Sequence, residues 1–183
     1  ICGERLTPSG ICQIQDMYMP QGFGKNTLVQ QNQQNMVYVK MAKDRHECIA
    51  LQDQIASASP QELEVIFNAL FPYYGELVFD GAANFVLQKQ CEYLTAEQQS
   101  LVLQFFLNDI DAIVDQPNGC RVLQKFIETT YPPNIDKIFL ALLPNFFQLC
   151  ASQNGNHIAQ RFITYIPHRV PMIIDAIKPH VLQ

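Results

Sequence analysis

The sequence predicts an all-α fold: a right-handed α-solenoid in which a unit of three short helices repeats and stacks into an armadillo-like superhelix. Three observations predict it. A similar segment recurs every 36 residues without insertion, apolar columns keep that same period, and helix-start signals fall at one place in each unit. The recurring segments are ECIALQDQI, ANFVLQKQC, GCRVLQKFI and GNHIAQRFI, beginning at Glu47, Ala83, Gly119 and Gly155.

Each element follows from local signals. Met41, Leu77, Ile113 and Leu149 form one apolar column. Ile55, Cys91, Ile127 and Ile163 form a second, and Ile66, Val102, Ile138 and Ile174 a third. One unit cannot bury such a face alone, so neighbouring units bury it together. Gly75 to Phe79 reads as a short helical turn, and Ala83 to Tyr93 as an amphipathic helix. Thr95 to Gln98 has the form of a capping box before the apolar run Leu101 to Leu107. Ser59-Pro60 and Pro132-Pro133 mark the same helix start in other units. Residues 1–40 lie outside the period and read as an N-terminal cap segment. Within them Pro8, Ser9, Gly10, Pro20, Gly22 and Gly24 are turn formers, and Leu28 to Met41 is a candidate helix. Residues 41–183 read as four units, with Pro179 to Gln183 as the opening of a fifth.

Composition narrows the function classes. Hydrophobic residues make up 48% of the 183, enough for a packed core. No apolar run approaches the roughly 20 residues of a membrane span. Ile1 to Gly10 lack the basic and apolar regions of a secretory signal. The six cysteines show no C-x-x-C spacing and no His pair stands at zinc spacing, which argues against a metal site and for a reducing, cytoplasmic setting. No cofactor, membrane or small-molecule substrate is expected. A net charge of −5 disfavours non-specific nucleic-acid binding, although a basic face on an acidic body remains compatible with it. There is no Gly-rich phosphate loop, no H-E-x-x-H and no G-x-S-x-G, so no enzyme activity is expected.

Three columns near the start of each second helix carry chemistry. The first is Cys48, Asn84, Cys120, Asn156; the next is Ile49, Phe85, Arg121, His157; four residues after the first comes Gln52, Gln88, Gln124, Gln160. Residues i and i+4 share a helix face, so each unit presents a small or amide side chain beside a Gln. A Gln amide offers one acceptor and two donor hydrogens, which suits the mixed edge of adenine or uracil. Guanine would call for a carboxylate, and no unit has one in that column. Phe85, Arg121 and His157 are flat groups on which a base can stack; Ile49 offers apolar contact only. A lone Gln, Cys or Phe would be surface or core, but their recurrence in register favours an accessible reading face.

These trios and their flanks, Gly119-Cys-Arg-Val-Leu-Gln-Lys125 and Gln153-Asn-Gly-Asn-His157, resemble the Pumilio (PUF) RNA-binding repeats over about residues 37–183. They are most similar to repeats one to four of an eight-repeat domain. The resemblance implies single-stranded RNA as partner, read one base per repeat in antiparallel sense. It implies uracil for the Asn/aromatic/Gln trios and adenine for Cys/Arg/Gln, hence 5′-UAUA-3′, with Ile49 departing from the family pattern. It also implies a role on mRNA 3′-untranslated regions, repressing translation or promoting decay through co-repressors or deadenylase components. Lys89, Lys125 and Arg161 follow the Gln column, with Asp53 breaking the set, and read equally as phosphate contacts or as a solvated face. The rival reading is an α-solenoid scaffold that binds only protein.

Overall fold

A computed structural model describes the backbone of residues 25–181 and the side chains of residues 34–180. All regular structure among them is helical. The first helix, α1 (Lys25–Lys43), contains the candidate Leu28 to Met41 helix; residues 1–24 of the cap segment lie outside the described residues. Unit one is the end of α1 with α2 (Glu47–Ser57) and α3 (Pro60–Leu70). Unit two is α4 (Tyr74–Leu77), α5 (Ala83–Gln90) and α6 (Ala96–Asn108). Unit three is α7 (Ile110–Asp115), α8 (Pro117–Thr129) and α9 (Pro132–Leu142). Unit four is α10 (Phe146–Ala151), α11 (Asn156–Tyr165) and α12 (Val170–Val181).

Helix starts are fixed by side chains. Ser59 with Glu62 and Thr95 with Gln98 form the two reciprocal capping boxes, and Pro60, Pro117 and Pro132 pre-set the first turns of their helices. A further cap repeats at the entry to the second helix. Asp44 Oδ1 accepts from the backbone N–H of His46 and Glu47 at 2.8 and 2.9 Å, and Asp80 Oδ1 accepts from Ala82 and Ala83 at the same distances. Ser152 Oγ accepts from Asn154 and Gly155 at 3.3 and 3.1 Å. The sequence reading did not identify this column, whose unit-three member is Gln116, next to Pro117.

The second helices stack in order, α2 on α5 on α8 on α11, so residues 36 apart in sequence fall into one row. Apolar columns behind them merge into one continuous core. Ile66, Val102 and Ile138 are 1%, 0% and 0% exposed, whereas Ile174 in the same column is 56% exposed. The difference is a missing neighbour: among the described residues no later unit covers α12. Of the segment expected to open a fifth unit, Pro179 to Val181 lie in α12 and residues 182–183 lie outside the described residues. Pro179 sits in the last turn, where its absent N–H leaves only the carbonyl of exposed Asp175 to solvent.

Candidate functional site

Because the second helices stack in register, the three chemical columns become three parallel rows. The Ile49, Phe85, Arg121, His157 row faces solvent throughout. The Gln row lies deeper: Gln52, Gln88 and Gln124 are half-buried and Gln160 is exposed. The first row departs from the expectation of an accessible face. Cys48, Asn84 and Cys120 are 5%, 0% and 1% exposed, and only Asn156 is half-buried.

The reason is that these side chains satisfy the backbone of the helix entry. Asn84 Nδ2 donates to the carbonyls of Asp80 and Gly81 at 2.8 and 3.0 Å, and Asn156 Nδ2 donates to those of Ser152 and Gln153 at 2.8 and 2.9 Å. The Cys48 thiol donates to Arg45 O at 3.4 Å and the Cys120 thiol to Asn154 O at 3.2 Å. Burial pushes both thiols up, so they remain neutral donors rather than thiolates.

Each Gln then rests on the first row. Gln88 Nε2 donates to Asn84 Oδ1 at 2.9 Å, Gln124 Nε2 to Cys120 Sγ at 3.2 Å, and Gln160 Nε2 to Asn156 Oδ1 at 3.5 Å. Gln52 Nε2 reaches the Cys48 carbonyl at 3.1 Å. One amide hydrogen therefore points inward in every unit. The carbonyl oxygen and the second N–H are left for the groove, a mixed acceptor and donor edge. The structure thus separates the predicted residues into an exposed flat row, a Gln row beside it and a supporting row beneath.

The cations are not free. Lys89 and Lys125 both reach Glu92 at 2.7 Å, and Arg161 Nε lies 2.7 Å from Glu128 Oε1, off the axis of a hydrogen bond and so an ionic contact. Lys125 first, then Lys89, holds the Glu92 carboxyl below the usual carboxylate range. Gln88, Arg121, Gln124, Lys125, Glu128 and Arg161 line one cleft of about 140 Å³. Among the described residues Arg121 has no ion-pair partner. Glu92 and Glu128 were absent from the sequence reading, although their 36-residue spacing was a signal available to it. No cluster of potential metal ligands occurs among the described residues.

Comparison with known proteins bears on this arrangement. The sequence model for the Pumilio-family RNA binding repeat matches residues 38–71, 83–104, 116–143 and 145–177. The chain is 32% identical over 150 residues to suppressor protein MPT5 of Saccharomyces cerevisiae, covering 76% of this chain and 18% of that protein. It is 28% identical to Pumilio homolog 12 of Arabidopsis thaliana, covering 78% and 25%. Its fold is similar to the Puf3 RNA binding domain bound to the Cox17 RNA 3′ UTR recognition sequence site A, with TM-score 0.76 and 26% identity over 94% of this chain and 48% of the other. It is also similar to the RNA-binding domain of yeast Puf5p bound to SMX2 RNA, with TM-score 0.69 and 31% identity over 76% and 41%. The chain spans about a quarter or less of these two curated relatives and under half of these solved domains.

Proposed function

We propose, from the premise that this chain belongs to the family of Pumilio-type RNA-binding repeat proteins, that it reads single-stranded RNA one base per unit. The observation that carries the reading is the solvent-facing row Ile49, Phe85, Arg121, His157 running alongside the Gln row on stacked second helices. A base seats its face against the flat row and its edge against the free oxygen and N–H of a Gln. Cys48, Asn84, Cys120 and Asn156 belong to the edge-reading set from beneath, because they hold the Gln amides.

Base identity follows the family pattern. Units four and two take uracil, unit three takes adenine and unit one takes adenine with weaker stacking on Ile49, giving 5′-UAUA-3′. The biological setting in this proposal is cytoplasmic, on mRNA 3′-untranslated regions, with co-repressor or deadenylase proteins carrying out repression or decay. Four base contacts must overcome the ordering of a flexible strand, so affinity is on the order of micromolar or weaker.

Titration of labelled RNA containing UAUA against the same RNA with both uracils changed to cytosine tests the reading. Stronger binding to UAUA is expected. Equal, negligible binding to both would favour a protein-interaction scaffold, and equal, steeply salt-dependent binding would mark recognition of the backbone alone. Gln124→Glu is expected to move the preference of unit three toward guanine, since a carboxylate accepts from two donors.

A further inference from the structure

Three cations border the Gln row, and each lies against a carboxylate. The pairing has a period of its own. Glu92 and Glu128 are 36 residues apart, as are Lys125 and Arg161, and each carboxylate of one unit takes the cation of the next. Where the period breaks, the pairing changes with it. Unit one has Ala56 in the carboxylate position, and Lys89, left without a partner there, turns to Glu92 of its own unit. Unit one also has Asp53 in the cation position. The Glu128–Arg161 pair lies in the same cleft as Gln88 and Gln124.

We propose that Glu92 and Glu128 are positioning residues: struts that tie Lys125 and Arg161 of the following unit at the foot of the groove and so set the spacing of Gln88, Gln124 and Gln160. This deepens the reading of the groove as an RNA site and rests on it. The struts withdraw both cations from phosphate. Part-exposed ion pairs add little to global stability. Their effect is local, because the terminal groups they fix stand beside the amides that must meet base edges. A small shift of one Gln relative to the next misaligns two neighbouring bases at once.

The test measures binding of UAUA RNA across a salt series for Glu128→Gln, Arg161→Gln and the charge-exchange pair Glu128→Arg with Arg161→Glu. Each single change is expected to lower affinity about three- to ten-fold, the size of a coupling between touching side chains. The slope of log affinity on log salt stays as in the parent, and the exchange pair regains most of the loss. Three results overturn the proposal. One is a gain in affinity with a steeper slope in Glu128→Gln, as expected if the carboxylate merely masks a phosphate-binding cation. Another is a slope reduced by about 0.7 in Arg161→Gln, the loss of one phosphate contact. The third is no change in any variant. Melting curves check that each variant folds, and Glu92→Gln repeats the test one unit earlier. Hydrogen exchange of α8 and α11 without RNA is expected to quicken in Glu128→Gln and to return in the exchange pair. Unchanged exchange counts against the strut. A parent that does not distinguish UAUA from its cytosine variant counts against the RNA reading, and the exchange measurement still decides the strut.

Discussion

The junction between units one and two and the junction between units three and four use the same apolar columns and different polar ones. At the later junction Asn154 Nδ2 donates to Asp115 O at 3.0 Å, the Cys120 thiol to Asn154 O at 3.2 Å, and Arg169 Nε to Asp136 Oδ1 at 2.8 Å, with Arg161 against Glu128 besides. The middle junction has a comparable set: Asn118 Nδ2 donates to Phe79 O at 3.0 Å, Thr130 Oγ1 to Gln99 Oε1 at 2.8 Å, and Lys125 lies against Glu92. At the first junction Ala82 stands where Asn118 and Asn154 stand later, and the pair Lys43 with Glu76 is exposed on both sides. The units themselves also differ in their cores. In unit two Tyr74 OH donates to Gln90 Oε1 at 2.5 Å, while Gln90 Nε2 finds no partner. The equivalent pair in unit four is Phe146 and Phe162, with centroids 6.2 Å apart. Stacking therefore rests on the apolar columns at every junction, and the polar clasps that fix relative placement are sparse at the first junction and several at both later ones.

The largest test of that comparison moves the unit-two solution into unit three. Phe126→Gln puts an amide where Ile110, not a tyrosine, stands in the partner position, so it loses aromatic burial and leaves the amide unpaired. A loss of about 3–5 kcal/mol in denaturant unfolding is expected. A loss under 1 kcal/mol, by that same scale, would mean that the core of unit three is loosely packed.

Gly119→Ala comes next. A Cβ there would lie 2.8 Å from the Ile113 carbonyl oxygen and 3.1 Å from Phe79 Cε1, yet Ala83 occupies the same column in unit two with its Cβ accommodated. The expected cost is about 1–3 kcal/mol, read as a fall in melting temperature. An unchanged melting temperature would show that α8 can move away from α7 as freely as α5 sits beside α4.

Removing one clasp, Asn154→Ala, is expected to cost about 1 kcal/mol and to quicken amide exchange in α11 before α2. Equal quickening in both helices would make the clasp a global rather than a junction-specific contact.

The smallest effect is one of pH, and acid and base act on different contacts. Hydrogen bonding to Arg169 lowers Asp136 from its usual 3.8, and Lys125 and Lys89 lower Glu92 from 4.5. Their contribution is present above those values and is lost as pH falls through the lower folded ones. The Lys43 ammonium is raised from 10.5, chiefly by its bond to Glu76, so its contribution is present below that value and is lost as pH rises through the higher folded one. Asp44 and Glu62 in unit one are lowered too, the first by the backbone N–H groups of Glu47 and His46 and the second by Ser59. Amide exchange is therefore expected to quicken in acid in every unit that carries such a carboxylate, whereas Lys43→Ala is expected to leave acid behaviour as in the parent. A changed acid response in Lys43→Ala would sink that separation.

Much of the fold was legible because it is written in period and local chemistry. Thr95 with Gln98 and Ser59 with Glu62 are boxes four residues wide, and the columns through Ile66 and Ile55 need only a count of 36. The site was legible as rows but not as depths. Asn84 looked accessible because it alternates with cysteines; only the fold shows its amide turned back onto Asp80 and Gly81. Lys125 left two readings open because its partner, Glu92, lies in another unit.

Sequence by itself determined the helical repeat, the placement of its caps and which residues share a row, since those depend on contacts within a few residues and on a fixed period. Tertiary structure alone decided which row is buried, which cation meets which carboxylate and which apolar columns stay uncovered. Those depend on how far one unit is shifted and rotated against the next. That offset comes from side chains packing across the whole interface, and no short window of sequence contains both sides of it.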